Sequence, residues 1–213
     1  MYLSRAVLDA NRRETMDALG SPQKLHGAIE RSFDERQRNL WRIDWLNDIC
    51  YLLLLSEKTP DMKQLLNQFG EINSPKYWET KEYDKLLNKL EIGQSWRFRL
   101  CGNPVQSSTA EKNPKTGRGK VYAHVTCEQQ KKWLIGKANS CGFSLSEESF
   151  GVIQNKWLKF HKGGESRRPV SLHTVIFEGL LTITDLELFR QALKTGIGRG
   201  KAYGCGLLTI TRD

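Results

Sequence analysis

The sequence predicts an α+β protein of two tandem ferredoxin-like (RRM-like) halves, the second carrying a basic β-hairpin. Three observations predict it. Residues 1–90 run strand, helix, strand, strand, helix, the order of a split βαβ unit that lacks only its last strand. A second pass of antiparallel α/β type fills residues 95–213. Within that pass, Lys156–Arg168 places cations around Gly163-Gly164 between two apolar arms, the pattern of a hairpin with a charged tip.

Each element follows from its local pattern. Tyr2–Asp9 alternates as a strand does. Arg12–Leu19 is polar and fits no single period. Ser21-Pro22 opens a helix, with Ser21 as N-cap and Pro22 at the first helical position. Leu25, Ile29 and Phe33 then recur at i, i+4 and i+8 as an apolar stripe, with Ala28 beside them. Leu40–Leu46 alternates with Trp41, Ile43 and Trp45 on one face, Asn47-Asp48 turns, and Ile49–Ser56 returns as a more buried strand. Thr59-Pro60-Asp61 starts a helix to about Phe69. The missing fourth strand is expected at Ile72–Trp78, and Tyr83–Leu90 reads as a linker or short helix. The domain division is therefore expected at 1–90 and 95–213. The second pass comprises a strand at 95–102, a basic loop, a helix at Cys127–Ser140, strands near Gly142–Lys159 and Leu172–Ile183, a helix at 185–194 and a strand at 207–211.

Charge separates the halves. Residues 1–93 carry 14 Lys/Arg against 15 Asp/Glu, whereas residues 94–213 carry 19 against 9, so the net +9 belongs to the second half. That asymmetry points to a polyanion, nucleic acid before membrane. No window of eighteen apolar residues is present, no Lys-rich amphipathic helix suggests a lipid surface, and the opening residues lack a secretory apolar core. Cys50, Cys101, Cys127, Cys141 and Cys205 are odd in number and lack metal-ligand spacing. They read as reduced thiols of a cytoplasmic protein, and neither a metal nor a cofactor is expected.

The cations fall in three places. Lys112, Lys115, Arg118 and Lys120 crowd a turn-rich stretch with no apolar residue. Lys156, Lys159, Lys162, Arg167 and Arg168 belong to the expected hairpin, which suits a groove and phosphates. Arg199 and Lys201 sit in GIGRGKAYGCG, residues 196–206. Strand-to-helix order is what a nucleotide-cradling glycine loop requires. Here the order is helix to strand, so a Rossmann or P-loop site is disfavoured, and the glycines serve either close packing or RNA phosphate. No helix-turn-helix, zinc finger or basic zipper is readable, which favours RNA over DNA. The RRM signature strings are also absent, which favours phosphate and shape contacts to a structured RNA over stacking on the sheet. Among four histidines, His124 and His173 read as structural and His161 as a hairpin residue. His26 lies about 100° off the apolar stripe of its helix, at the edge of the core, with Lys24 and Arg31 nearby in sequence.

The segments MYLSRAVL, SPQKLHGAIERSF, WRFRLCGNP, IFEGLLTI and GIGRGKAYGCGLLTI together resemble the CasE family, the CRISPR precursor-RNA endoribonucleases of the Cascade complex. The resemblance runs from Met1 to Ile210. It implies two ferredoxin-like domains and metal-independent cleavage at the base of a repeat stem-loop. It also implies retention of the product and assembly with other Cascade subunits. It places the catalytic histidine at His26. The family's Tyr-x-x-His arrangement is not kept, because Gln23 holds the tyrosine position. Arg31 falls where family members can place a lysine; Arg31 or Lys24 is expected to stabilise the phosphorane charge. The alternatives are a non-catalytic subunit that binds structured RNA, and a nucleotide-binding protein using the glycine segment.

Overall fold

The computed structural model describes residues 1–71, 77–112, 117, 119–161 and 169–212, with Thr109 described in its backbone only. Its first half contains β1 (Tyr2–Leu8), α1 (Arg13–Gly20), α2 (Pro22–Glu30), β2 (Leu40–Leu46), β3 (Ile49–Ser56), α3 (Lys63–Phe69), β4 (Trp78–Glu82) and α4 (Asp84–Leu87). The strands form one antiparallel sheet in the order β2-β3-β1-β4. That is the strand order of a ferredoxin-like sheet. Asn47 and Asp48 both take positive φ, 49° and 62°, which gives the two-residue turn that matches strand twist.

The second half contains β5 (Ser95–Gly102), β6 (Val105–Lys112), β7 (Gly119–Ala123), α5 (Cys127–Ala138), β8 (Phe143–Ser144), β9 (Phe150–His161), β10 (Pro169–Ile183), α6 (Leu186–Thr195) and β11 (Leu208–Thr211). β11, β5 and β10 are neighbours in that order, and β8 and β9 both pair with the far edge of β10. The first-half order is thus repeated, while β6 and β7 stand apart as a two-stranded ribbon. Thr126 and Gln129 form a reciprocal cap on α5, and the Asp185 side chain accepts from Leu188 N at the start of α6.

Four local expectations need correction. The fourth strand lies later than expected, at Trp78–Glu82, where it pairs with β1; residues 72–76 of the expected strand fall outside the described ones. Arg13–Gly20 is a helix, because Thr15 and Ala18 are buried one turn apart. Ser21 precedes α2, but its side chain makes no capping bond, so Pro22 carries the start. The stretch around Lys112–Lys120 is flanked by paired strands rather than being a loop throughout.

The first sheet is covered on both faces. Ala6, Leu8, Leu52 and Leu54 pack against Leu25, Ala28 and Ile29 of α2 and Leu65 and Phe69 of α3. The opposite face, with Leu40 and Leu55, joins Trp96, Phe98, Leu100 and Phe177 of the second half in one cluster. Residues 83–90, expected as a linker or short helix, contain the short helix α4, and Tyr83, Leu87 and Leu90 are buried in that same cluster. Burial pushes the Tyr83 phenol far above the usual tyrosine range.

Arg42 crosses this boundary. It is 2% exposed, and its guanidinium donates to Arg99 O and Leu207 O, each at 2.9 Å, and to Thr209 Oγ1 at 2.8 Å. It also grips Asp44 with two bonds, 2.8 Å from Nε and 2.7 Å from Nη2. Asp44 in turn lies 3.0 Å from Arg99 Nε, and Arg99 pairs with Glu178. Removing the buried guanidinium leaves the Leu207 carbonyl without its donor and Asp44 without its closest counter-charge. Arg42→Ala is expected to cost about 3–5 kcal/mol, read as a fall in the urea midpoint, and to exceed the cost of Arg5→Ala at the exposed pair with Glu79.

Candidate functional site

Pro22, Leu25, Ala28 and Ile29 form the buried face of α2. His26 follows Leu25 around the helix and emerges at the edge of that face, its side chain 26% exposed. Its Nε2 lies 3.4 Å from Glu30 Oε1, one turn on. The imidazole also meets the ring of Tyr203 edge to face, with centroids 6.3 Å apart and planes at 73°. No local pattern signals that contact, because Tyr203 comes from the glycine segment at the other end of the chain.

The glycine segment is built for close packing. After α6 the chain enters the turn at Gly196, and a 3-10 turn at Lys201–Tyr203 is bracketed by Gly200 and Gly204. Gly204 has φ +83°, and a Cβ there would lie 3.0 Å from the Trp41 ring. A Cβ on Gly196 would lie 2.8 Å from Leu40 Cδ2. The segment is tied internally by Ile197 N to Gly206 O at 2.9 Å, and to β5 by Gly206 N to Cys101 O at 2.7 Å. Of the two uses left open by the sequence, the described contacts are those of packing, against the first strand of the β2–β3 hairpin.

The expected site residues divide accordingly. Arg31 ends α2 and folds back along it, its Nη1 3.5 Å from the Cβ position of Gly27, the residue after His26. Lys24 is exposed, lies roughly 200° around the helix from His26, and faces Asp17 of α1 at 3.8 Å. Lys201 donates to Thr195 O at 2.7 Å, at the end of α6. Burial pushes its ammonium below the usual lysine range, and the nearby Arg38 guanidinium acts in the same direction. Arg38 is a cation that no motif in the sequence singles out. Arg199 reaches Ser107 of β6 at 3.3 Å, which fastens the segment to the ribbon.

Lys120 of the ribbon pairs with Glu111 at 2.8 Å, and Lys112 ends β6 opposite Gly119. Hydrogen bonds from Lys120 and Tyr122 hold the Glu111 carboxyl below its usual range. Lys156 and Lys159 project from opposite faces of β9, because their separation is odd. Lys156 faces a groove of about 230 Å³ between the two halves, whose walls include Pro22, Leu25, Trp45, Leu158 and Tyr203. On the other face of β9, Trp157 stacks on His173 at 4.5 Å, and His173 bonds Asn155 at 2.6 Å. Burial holds the His173 imidazole below its ordinary range, as a structural histidine requires. Lys115, Arg118, Lys162, Arg167 and Arg168 lie outside the described residues.

The arrangement sets a partly exposed imidazole against a carboxylate and a phenol, and the phenol lines a groove that Lys156 also lines. Imidazole exchanges protons near neutrality, and fixed cations attract and polarise phosphate. A family model described as "CRISPR associated protein" matches residues 1–212. CRISPR-associated endoribonuclease Cse3 of Thermus thermophilus is 29% identical, with 99% of each chain covered. CRISPR system Cascade subunit CasE of Escherichia coli is 27% identical, over 99% of this chain and 98% of that one. The solved structure of Thermus thermophilus Cse3 bound to an RNA representing a pre-cleavage complex superposes with a TM-score of 0.77. It is 27% identical and covers 99% of this chain and 98% of that one.

Gly204→Ala tests how firmly the glycine segment holds its place. The left-handed backbone and the Trp41 ring together are expected to cost roughly 1–3 kcal/mol, measured as a lowered melting temperature.

Proposed function

The chain belongs to the CRISPR associated protein family, and on that footing we propose that it is a metal-independent endoribonuclease. Its substrate is CRISPR precursor RNA, cut at the base of the repeat stem-loop, and it remains bound to the product. The observation that carries this reading is His26: a partly exposed imidazole at the edge of the buried face of α2, against a ring from the second half, rather than inside the core.

RNA brings its own nucleophile, the ribose 2′-hydroxyl. Cleavage then needs the hydroxyl held in line with the phosphorus, its proton removed, the extra phosphorane charge balanced and the leaving 5′-oxygen protonated. His26 is the proton acceptor. Arg31, folded back over Gly27, the residue after His26, is better placed to face the phosphorane than Lys24, which faces Asp17 of α1. The products are a 2′,3′-cyclic phosphate and a 5′-hydroxyl. Residues 1–90 act as the lobe that carries the histidine, and residues 95–213 as the lobe that grips RNA. Lys156 in the groove and Lys112 and Lys120 on the ribbon supply phosphate contacts. Lys159, Lys115, Arg118, Lys162, Arg167, Arg168 and Arg199 extend the same charge, and Lys201 adds to it from the glycine segment. Among the described residues no helix is long and apolar enough to cross a membrane, and the setting is the cytoplasm, with other Cascade subunits as protein partners.

Gln23 supports one rival, a subunit that binds structured RNA without cutting it, since an amide neither gives nor takes a proton at neutral pH. Incubation with a repeat stem-loop in EDTA separates the two, because only the enzyme leaves a cyclic-phosphate product. His26→Ala is expected to lower single-turnover cleavage by about 10²–10⁴-fold while hairpin affinity is retained; undiminished cleavage removes His26 from the chemistry. Lys156→Ala is expected to flatten the dependence of log affinity on log salt by about one unit, read by filter binding across a salt series.

A further inference from the structure

Resting on the endoribonuclease reading above, we propose that Tyr203 is the second proton-transfer group of the reaction, its phenol protonating the departing 5′-oxygen. The reaction moves two protons, and His26 accounts for one. Arg31 keeps its proton throughout and Gln23 has none to exchange. Glu30 faces the imidazole itself, and Lys24 is turned toward α1. Tyr203 is the remaining ionisable ring against His26.

Its placement suits a fixed donor. One side of the ring packs against His26 and another against Phe160, edge to face with centroids 4.9 Å apart. Its backbone N–H donates to Gly200 O at 2.8 Å, and Gly200 and Gly204, both at φ +83°, clamp the turn on either side. The ring lines the groove together with Pro22 and Leu25 of the helix that bears His26. Among the described residues the phenolic oxygen has no hydrogen-bond partner, so the hydroxyl is free to meet a substrate. An alkoxide leaving group needs a donor that still holds its proton at neutral pH, and a phenol does.

The step balances without an external reagent. The 2′-hydroxyl proton passes to His26, the 2′-oxygen bonds to phosphorus, the bond from phosphorus to the 5′-oxygen breaks, and the Tyr203 proton goes to that oxygen. Transfer of the proton from imidazolium to phenolate, directly or through water, restores both groups.

Tyr203→Phe keeps both ring contacts and deletes only the hydroxyl. In single-turnover cleavage of a repeat stem-loop RNA in EDTA, the full-length variant is expected to be about 100-fold slower than wild type, with hairpin affinity within about twofold. A second RNA carries sulfur in place of the bridging 5′-oxygen at the scissile phosphate, so that its thiolate departs unprotonated. On this RNA Tyr203→Phe is expected to match wild type. Cleavage of the ordinary RNA by the variant within about twofold of wild type overturns the proposal. An equal loss on both RNAs overturns it too, and marks the tyrosine as packing alone. A wild-type protein inactive on both RNAs overturns the endoribonuclease reading, and this proposal with it.

Discussion

One buried guanidinium fixes how the two sheets meet. Arg42 leaves β2, passes into the second half and satisfies the carbonyls of Arg99 and Leu207 while Asp44 balances its charge. A charge so enclosed is tolerable only when every donor finds an acceptor. Three of the five bonds made by Arg42 leave β2, to Arg99 O, Leu207 O and Thr209 Oγ1, and they hold β2 against β5 and the start of β11, where apolar contact alone would allow sliding. Leu40, beside Arg42, enters the shared cluster, and Trp41 on the other side of the strand supports α2 and Gly204. Three successive residues of one strand therefore serve the lobe boundary, the helix that carries His26 and the glycine segment.

The site follows from that placement. α2 offers His26 because its apolar face is narrow enough to leave the ring at the margin. The glycine segment offers Tyr203 because residues without a Cβ let its backbone come up against Leu40 and Trp41. Neither half holds the pair alone. The cations proposed to meet RNA are spread more widely: Lys156 in the groove, Lys120 paired with Glu111 on the ribbon, and Lys201 held to the end of α6. On the proposed function, such division of labour separates a reacting centre, where angstroms matter, from a charged surface, where total charge governs affinity.

Much of this was legible in the residues. Periods of two and of 3.6 located β1, β2, β3, α2 and the long strands of the second half, and the charge imbalance between halves pointed to a polyanion, nucleic acid before membrane. The 100° offset of His26 from its stripe predicted the partly exposed ring that is found. What escaped was long-range. Arg42 breaks no local pattern, since an arginine in an alternating strand reads as solvent-facing; only a second sheet makes it a core residue. The short helix at Asp84–Leu87 was among the readings of its stretch, but the burial of Tyr83, Leu87 and Leu90 was not, because their apolar period is too short to register before the partner surface is known. Tyr203 was hidden among glycines, and its partner lies almost a whole chain away. Lys201 looked like a free phosphate ligand, and a carbonyl at a helix end, invisible in sequence, engages it.

The distance along the chain between His26 and Tyr203 has a kinetic meaning. All but two of the eleven strands lie between them. Loops of that length close late and slowly, after the intervening hairpins have formed. A nascent polypeptide emerging from the ribosome thus exposes its imidazole long before its phenol arrives. Premature termination upstream of the glycines would yield a protein in which the ring contact is never made and Arg42 lacks its acceptors at Leu207 and Thr209.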